Sequence, residues 1–532
     1  MVCLLLTISH VGQGRAASSL SVQDVIAKGA VGGLQLEDTK GIKTFYGEHG
    51  NTPLWASERD RSQIIAVLRE SWRHGLNPYS YITPKLEAAL ASTHPEDVIP
   101  RDVMLSGAIV AYGRDLTGMR VAASSIGQDA KDWRKALGSY SILDRVYKAS
   151  NRQVGMESLA PKGALYQSLQ KGLLAELKAI YQVDPREKVL PLRFSRTVAP
   201  GDISDDVLKL RARLGVDEGA NPRLYDDRLA KAVMAFQVEH GLKPDMLVGG
   251  LTLAALNKTH QDMAYQLVAN LERQRWLHPK QPDKYLVVNI PAQTLWAVEG
   301  GKIVHEMDVI VGRKERPTQT FRTQVTGVRF NPTWTVPSTI KNEDFLPHLR
   351  EDPEYLEKRG IQVVTKEEGK SVVVPPHAID WNAISSSEFA QLHFVQKAGS
   401  NNPLGQIRLL MPNPYGIYLH DTDAPNLFGR EARAVSSGCV RMSQPKIIAE
   451  FVMEGTQGWK GADSLNAILE SGKTRDIKTG VPIPVYLLYQ TVWPDNAGRL
   501  VIGPDIYGWD KKLSDVLLSR SELFIPTRDM LD

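Results

Sequence analysis

Residues 285–290 read Tyr-Leu-Val-Val-Asn-Ile, and residues 294–298 read Thr-Leu-Trp-Ala-Val. Both runs have the length and the β-branched, apolar composition of strands, and Gly, Pro and polar residues separate them from their neighbours. Runs of the same kind follow at 302–312, 324–330, 407–411, 416–419 and 481–488. Consecutive strands of this length predict a β-sandwich or a barrel over about residues 285–495.

The strand pattern is interrupted between residues 338 and 405. Charged, helix-compatible sequence comes first, and a strand-like run at 371–374 follows it. We interpret this interruption as an insertion over the sheet, of the kind that forms a lid. Trp334 and Trp381 lie beside and within it, but large aromatic residues near a sheet are usually core, so neither is a candidate catalytic residue.

The sequence before the strands is predicted to be helical. Amphipathic segments such as 60–74 and 161–181 place apolar residues three and four apart, which predicts a mainly helical region over 18–199. A second unit is expected at 200–260, followed by a linker helix within 261–284. Residues 496–532 are expected to form a C-terminal extension that packs on the helical region.

The extreme N-terminus has features of an export signal. Residues 1–10 are mostly apolar, and the small residues of 14–18 follow at the distance of a signal-peptidase site. We therefore predict a signal peptide over 1–17 and a periplasmic protein. The positively charged leader is missing, so the true start is expected upstream, which leaves membrane association open; an apolar N-terminus of a cytosolic protein is the alternative.

Length and composition set limits on the kind of protein. A chain of 532 residues is too long to fold around a single hydrophobic core, so about three folded units are expected. The formal charge of +4 gives no reason to expect nucleic acid as a partner. Of the two cysteines, Cys3 lies in the predicted signal, so the mature protein has one thiol, Cys439. Such a thiol is either a reactive group or a buried bystander.

The residues around Cys439 indicate a reactive group. A strand ending in His420 and a glycine turn bearing Cys439 lie within twenty residues of each other. A cysteine attacks carbonyls as the thiolate, so it needs a neighbouring imidazole or positive charge, which His420 and Arg441 supply. Gly438 permits close backbone approach, and we predict that the N–H groups of Gly438 and Cys439 form an oxyanion hole. Tyr418 shares the face of His420 on a strand.

Three segments resemble the L,D-transpeptidases. They are Ser437-Gly438-Cys439-Val440-Arg441 after His420, Tyr418-Leu419-His420-Asp421-Thr422, and Asn331-Pro332-Thr333-Trp334-Thr335-Val336-Pro337. Residues Tyr225 to Asn257 also resemble a small three-helix peptidoglycan-binding domain. The resemblance implies an α+β multidomain protein of the large subgroup: a helical scaffold domain, the peptidoglycan-binding domain, and a β-sandwich catalytic domain with a mixed α/β capping insertion. Many smaller members carry His where this chain has Ser437, so no role of that histidine transfers here.

The resemblance also implies a reaction. Cys439 as nucleophile and His420 as base would cross-link meso-diaminopimelate residues (3-3 links) by thioester acyl transfer, with release of D-alanine. The implied partners are peptidoglycan stem peptides as donor tetrapeptide and acceptor, carbapenem β-lactams as covalent inhibitors, and other wall-synthesis enzymes. We expect no metal and no cofactor, because no His, Cys, Asp and Glu residues have ligand spacing.

Several alternatives stay open at this point. Arg441 either pairs with a substrate carboxylate, depresses the pKa of the thiol, or holds the loop in a salt bridge. Ser437 is either a hydroxyl of the site wall or a structural turn residue. The same thiol would serve a hydrolase that trims stem peptides or releases wall-anchored protein, and a non-catalytic wall-binding protein is the third possibility.

Overall fold

The structure is a computed structural model that describes residues 20–127, 133–182, 190–278, 280–367, 369–520 and 522–531. The predicted signal peptide and Cys3 lie outside these residues. The chain divides into two compact units, of which the first comprises Met1–Gly118 and Lys135–Pro161, and the second Met119–Arg134 and Lys162–Asp532. None of the described helices combines the length and the apolar character needed to cross a membrane.

The first unit is helical, with one short hairpin. Its elements are α1 (Val22–Ala27), β1 (Ala30–Val31), β2 (Leu34–Gln35), α2 (Thr39–Glu48), α3 (Glu58–Arg69), α4 (Pro84–Ala91), α5 (Val98–Thr117), α6 (Ser139–Lys148) and α7 (Arg152–Glu157). Polar side chains at Ser57 and Thr83 cap α3 and α4 by accepting backbone N–H groups. Helix α5 is buried around most of its circumference, so it forms the centre of this unit.

A buried carboxylate organises the middle of the first unit. Asp102, on α5 and 3% exposed, accepts hydrogen bonds from the backbone N–H groups of Leu54 and Trp55 and from the hydroxyl of Tyr46. Burial raises the pKa of Asp102 to about 6, although these donors oppose the shift. The loop before α3 is therefore fixed to α5 through one side chain.

The second unit begins with helices. These are α8 (Ala164–Ile180), α9 (Asp205–Leu214), α10 (Asp227–Glu239), α11 (Gly250–Leu256) and α12 (His260–Trp276). Helix α8 packs along α12, which explains why it belongs to this unit, whereas the sequence placed it within a helical region running to residue 199. Helices α9 to α11 surround a core of their own, in which Leu229 and Val233 are fully buried, and Phe236 stacks on His240.

A nine-stranded sheet forms the main part of the second unit. Its strands are β3 (Lys284–Asn289), β4 (Thr294–Glu299), β5 (Lys302–Gly312), β6 (Phe321–Phe330), β11 (Ile407–Leu410), β12 (Leu419–His420), β13 (Ala434–Ser436), β14 (Val440–Met442) and β15 (Arg475–Leu488). They are ordered β13-β5-β14-β12-β11-β6-β15-β3-β4, and β4 also pairs with β5. The sheet therefore closes on itself around an apolar core, which α15 (Pro445–Met453) and α16 (Ala462–Glu470) cover.

The insertion lies between β6 and β11 and has its own sheet and core. Its elements are β7 (Trp334–Thr335), a π-helix (Ile340–Phe345), α13 (Leu346–Glu351), β8 (Ile361–Glu367), β9 (Lys370–Val374), α14 (Ser386–Gln391) and β10 (His393–Gln396). The strand order is β7-β10-β8-β9. Trp334 and Trp381 are buried in its core with Phe345 and Phe394, as expected of structural aromatic residues.

The C-terminal segment packs within the second unit. It contains β16 (Val492–Pro494), β17 (Leu500–Ile502), α17 (Trp509–Arg520) and α18 (Arg528–Leu531). Asp510 of α17 pairs with Arg273 of α12, and the hydroxyl of Tyr181 donates to the carbonyl of Pro526 at 2.7 Å. Together these elements confirm the predicted α+β multidomain fold.

One predicted strand has different limits in the structure. The sequence predicted a strand over 416–419, but β12 comprises only Leu419 and His420. Gly416 has a φ of 65°, and the Asn413 side chain accepts from the N–H groups of Tyr415 and Ile417. Because this Asn-centred turn uses those backbone groups, the strand starts later than its apolar residues indicate.

Candidate active site

Strand pairing brings the predicted nucleophile and base together. In the parallel pair of β12 with β14, Leu419 lies opposite Val440 and His420 opposite Arg441. The N–H of Val440 donates to the carbonyl of Tyr418 at 3.0 Å. Cys439 immediately precedes β14, so this register sets it beside Tyr418 at the strand end. His420 on β12 and Cys439, nineteen positions later and just before β14, thus lie on neighbouring segments.

Cys439 is half-buried and forms no disulfide with any described residue. Its Sγ lies 3.7 Å from the carbonyl oxygen of Gly416. Burial raises the pKa of the thiol, while the backbone N–H and hydroxyl of Tyr418 and the charges of Arg408 and Arg441 oppose that shift. Because burial dominates, the resting group is the neutral thiol, and a base is needed to generate the thiolate during attack.

His420 is the candidate for that base. Its ring is 4% exposed, and burial together with the charges of Arg441 and Arg408 lowers its pKa to about 3. The imidazole is therefore neutral near pH 7, and with so low a pKa it is a weak base in this resting state. Among the residues that the structure describes, Nδ1 has no hydrogen-bond partner, although the backbone of Pro403 is close enough to oppose the pKa shift.

The turn before Cys439 distinguishes the two predicted oxyanion donors. Gly438 has a φ of 112°, a conformation that favours glycine. Its N–H donates to Ser436 Oγ at 3.1 Å, and its carbonyl accepts from Thr318 Oγ1 at 2.8 Å. No acceptor within the described part of the chain takes the N–H of Cys439. The amide of Cys439 is therefore available to an oxyanion, whereas that of Gly438 is already engaged.

Arg408 belongs to the site and was missed by the sequence analysis. It lies on β11 directly opposite His420, and its guanidinium carbon is 3.9 Å from the centroid of the Tyr418 ring. This stacking holds Tyr418 beside the thiol, and the positive charge favours the thiolate. A cation that alternates with the apolar residues Ile407 and Leu409 is the ordinary pattern of a half-buried strand, so no signal in the sequence set Arg408 apart.

Arg441 faces the same space from β14. Burial lowers its pKa, while the charges of Asp423 and Cys439 raise it. Within the described stretches it forms no salt bridge, so the salt-bridge alternative lacks a partner. Two alternatives for Arg441 are left: it pairs with a substrate carboxylate, or it stabilises the thiolate. Both require that its guanidinium is not already paired.

Ser437 connects the thiol loop to the insertion. Its Oγ accepts from Arg313 Nη1 at 3.1 Å and from Arg316 Nη1 at 3.2 Å. Arg316 also binds both carboxylate oxygens of Asp344 at 2.7 and 2.8 Å and one oxygen of Glu343 at 2.5 Å. Both acids lie on the π-helix of the insertion. We call this set of contacts, from Ser437 through Arg316 to Asp344 and Glu343, the cap latch.

The described residues contain no cluster of three or more His, Cys, Asp and Glu side chains that could hold a metal ion. The groups that converge at this site are a thiol, an imidazole, a phenol, two guanidinium groups and a free backbone amide. A thiol, a neutral base and an N–H donor are the components of nucleophilic acyl transfer.

Comparison with known proteins shows similarity over two segments of the chain. The family model for the YkuD L,D-transpeptidase catalytic domain matches residues 283–459, and the model for the scaffold domain matches residues 40–173. A protein of Haemophilus influenzae named "Putative L,D-transpeptidase" is 34% identical over 255 residues, which are 48% of this chain and 50% of that protein. The chain thus spans about half the length of this curated relative.

Solved structures give weaker similarity. An L,D-transpeptidase from Mycobacterium smegmatis is 14% identical with a TM-score of 0.19, and the match covers 39% of this chain and 58% of that one. An L,D-transpeptidase from Xylanimonas cellulosilytica is 16% identical with a TM-score of 0.19, over 56% of this chain and 99% of that one. The sequence matches alone therefore carry the assignment: residues 283–459 match the YkuD L,D-transpeptidase catalytic domain, and residues 40–173 match the scaffold domain.

Proposed function

We propose that this protein is a peptidoglycan L,D-transpeptidase that forms 3-3 cross-links through a thioester on Cys439. The observation that carries the proposal is the geometry of one loop. The half-buried thiol of Cys439 follows a glycine turn, precedes the strand paired with that of His420, and has a backbone N–H without an acceptor in the described part of the chain.

The first half-reaction uses three groups of the chain. Cys439 Sγ attacks the carbonyl that joins the L-centre of meso-diaminopimelate to the terminal D-alanine, and His420 takes the thiol proton. The negative charge that develops on the carbonyl oxygen is stabilised by the N–H of Cys439. Collapse of the tetrahedral intermediate breaks the C–N bond, and the proton held by His420 leaves with the D-alanine amine. The product is a thioester on Cys439.

The second half-reaction regenerates the thiol. The side-chain amine of a neighbouring stem peptide attacks the thioester, His420 accepts a proton from that amine, and the proton returns to the departing Cys439 sulfur. Water competes with the amine at this step. The insertion, fastened by the cap latch, supports transfer over hydrolysis because it limits the access of water to the thioester.

The two guanidinium groups have proposed roles in this cycle. Arg441 is proposed to bind a carboxylate of the donor peptide, which its lack of a salt bridge within the described stretches supports. Arg408 holds Tyr418 against the thiol and stabilises the sulfur anion. The segment of α9 to α11 is proposed to bind peptidoglycan, and the protein is proposed to act in the periplasm.

Product analysis tests the proposal. Purified protein is incubated with disaccharide-tetrapeptides, and the products are identified by mass spectrometry. Dimers that have lost one D-alanine are expected from the unaltered chain and not from Cys439→Ala, and His420→Ala should reduce their rate at least about 100-fold. The exposed His393 provides a matched control, and His393→Ala should retain full activity.

The same experiment separates the alternatives. Tripeptides without dimers would show a hydrolase and refute the proposed transfer. Dimers that persist in Cys439→Ala would refute the nucleophile, and unchanged substrate together with an intact wall-binding activity would favour the non-catalytic protein.

A further inference from the structure

The connection between β5 and β6 carries a buried threonine that contacts the turn before Cys439. Thr318 is 0% exposed, and its Oγ1 accepts from the N–H of Gly312 at 2.8 Å and donates to the carbonyl of Gly438 at 2.8 Å. A hydroxyl has one proton, and an N–H group can only donate, so the proton of Thr318 must go to Gly438. The side chain therefore joins the end of β5 to the residue before the candidate nucleophile.

Thr318 is held in place by the C-terminal segment. Its N–H donates to Tyr507 Oη at 3.3 Å, and that hydroxyl donates to the carbonyl of Gly312 at 2.6 Å. Tyr507 is 6% exposed, and its own N–H donates to the hydroxyl of Tyr489 at 2.8 Å. A Cβ atom at Gly312 would lie 2.3 Å from the carbonyl oxygen of Arg316 and 2.6 Å from the nitrogen of Thr318, so only glycine permits the connection to fold back this closely. Thr318 is therefore fixed relative to both β5 and the C-terminal segment.

Hydrogen bonds hold three consecutive peptide groups of the turn. Ser436 Oγ accepts from the N–H of Gly438 at 3.1 Å and donates to the carbonyl of Cys439 at 2.6 Å, which fixes the first and the third group. The middle group runs from the carbonyl of Gly438 to the N–H of Cys439, and Thr318 holds it. Gly438 has a φ of 112°, and a glycine restricts the rotation of the peptide group that follows it only weakly. The orientation of the middle group therefore depends on Thr318.

This orientation sets the direction of the candidate oxyanion donor. The peptide bond between Gly438 and Cys439 is trans, so its C=O and N–H point in opposite directions. Because the carbonyl points to Thr318, the N–H of Cys439 points away from Thr318. That N–H has no acceptor within the described part of the chain. An amide that is aimed in advance stabilises a developing negative charge without reorganising during the reaction.

We propose that Thr318 is a positioning residue that directs the N–H of Cys439 at the oxyanion, an inference that rests on the proposed function of Cys439. Thr318 acts through the carbonyl of Gly438, and Tyr507 acts one step further away by holding Thr318. The alternative is a purely structural threonine that stabilises the β5–β6 connection. Loss of its hydroxyl would then affect every reaction of the thiol alike, whereas a positioning role affects only reactions that form an oxyanion.

Two reactions of the same thiol separate these roles. Acylation of Cys439 by a carbapenem forms an oxyanion, whereas alkylation by iodoacetamide forms none, and intact-protein mass spectrometry measures the rates of both. Thr318→Val keeps the shape of the side chain and removes its hydroxyl. It should slow acylation at least about tenfold, which is below the roughly 100-fold loss that follows removal of an oxyanion donor itself. Alkylation should change by less than about twofold, because it needs no such donor.

Three variants serve as controls. Thr318→Ser keeps the hydroxyl, so its acylation rate should return to within about threefold of that of the unaltered chain. Thr117 in the first unit is the matched control, because it is 0% exposed, accepts from the N–H of Leu137 at 3.0 Å and donates to the carbonyl of Gly113 at 2.7 Å. Thr117→Val should leave both rates unchanged. Tyr507→Phe keeps the ring in the core and should slow acylation by a smaller factor, about threefold, with no effect on alkylation.

The outcomes distinguish the inference from the proposed function. Undiminished acylation in Thr318→Val, equal slowing of both reactions, or failure of Thr318→Ser to restore acylation would overturn the inference alone. An unaltered chain that the carbapenem does not acylate would refute the proposed function. The orientation of the amide is then tested by its NMR signal in a chain labelled with 15N-cysteine. The Cys439 signal should move in Thr318→Val and return in Thr318→Ser, and an unmoved signal would overturn the inference.

Discussion

The cap latch gives a prediction about the insertion. Arg316 joins Ser437, next to the nucleophile, to Asp344 and Glu343 on the π-helix of the insertion. Replacing Arg316 by Ala removes its hydrogen bonds to Ser437, Asp344 and Glu343, and leaves the hydrogen bond from Arg313 to Ser437 and the longer ion pair of Arg313 with Asp344 at 3.7 Å. We expect the insertion to open more often, and the thioester on Cys439 to hydrolyse more readily.

The size of the effect follows from geometry and exposure. Arg316 is 13% exposed and makes two bonds to Asp344, which is 37% exposed; Glu343 is 61% exposed. The exposed pair with Glu343 is worth little, while the bidentate pair with Asp344 is of the stronger, charge-assisted kind. After allowance for solvent screening, we assign about 2 kcal/mol to the latch, which corresponds to a roughly 30-fold larger open population.

Hydrogen exchange and product analysis measure this change. The protection factors of the backbone amides over 340–351 should fall by roughly 30-fold in Arg316→Ala. This holds where the insertion recloses faster than the open amides exchange. The ratio of tripeptide to dimer should rise in the same variant. The matched control is Arg329→Ala, because Arg329 makes a bidentate pair with Asp476 at 2.7 and 2.6 Å on the sheet and makes no latch contact. It should leave both readouts unchanged.

Two results would refute this reasoning. Unaltered protection over 340–351 in Arg316→Ala would show that the latch does not hold the insertion. An increase in exchange without any change in the tripeptide-to-dimer ratio would show that closure does not protect the thioester. Asp344→Asn should reproduce most of the effect, and combining it with Arg316→Ala should add little, because both remove the same pair.

Three further predictions concern charge. The pKa of His420 is about 3, and burial raises the pKa of Cys439, so the thiol should be neutral at rest. Alkylation of the thiol by iodoacetamide should therefore accelerate about tenfold per pH unit between pH 6 and 8. A rate independent of pH would contradict this and would indicate a preformed thiolate–imidazolium pair. Arg408→Gln should slow alkylation about threefold at pH 7.5, measured by intact mass, because the thiolate loses a favourable charge; an equal or faster rate would contradict this. Asp102→Ala should lower the free energy of unfolding of the first unit by about 3 kcal/mol, read from hydrogen exchange in α5, because it leaves several buried donors unpaired; a loss below about 1 kcal/mol would contradict it.

Local sequence pattern was enough to predict the strands that form the sheet and the groups that lie on them. Strands β3, β4 and β5 begin and end within one residue of their β-branched runs, because alternation and turn residues act locally. The candidates Cys439, His420 and Tyr418 were predicted from the same local patterns, because each lies on or beside a short strand that follows a glycine turn. Gly416 shows the limit of this approach, because side-chain hydrogen bonds from Asn413 overrode the strand pattern.

Contacts between segments that are far apart in the sequence could not be predicted from such local patterns. Arg408 reaches the site only through the register of β11 against β12, and Arg316 meets Asp344 only because the insertion folds back over the β5–β6 connection. Neither the register between two strands nor the folding of the insertion back over the sheet can be inferred from a single sequence without pairing information. The hydrogen bond that the Gly438 N–H donates to Ser436 Oγ likewise depends on the side-chain rotamer of Ser436, which the spacing of the motif does not determine.

The central claim is that Cys439 is an acylating nucleophile, and intact-protein mass spectrometry after incubation with a carbapenem tests it most directly. The account predicts one stoichiometric adduct on the unaltered chain, located at Cys439 by peptide mapping, and none on Cys439→Ala. A chain that gains no mass, or an adduct that persists in Cys439→Ala, would contradict it.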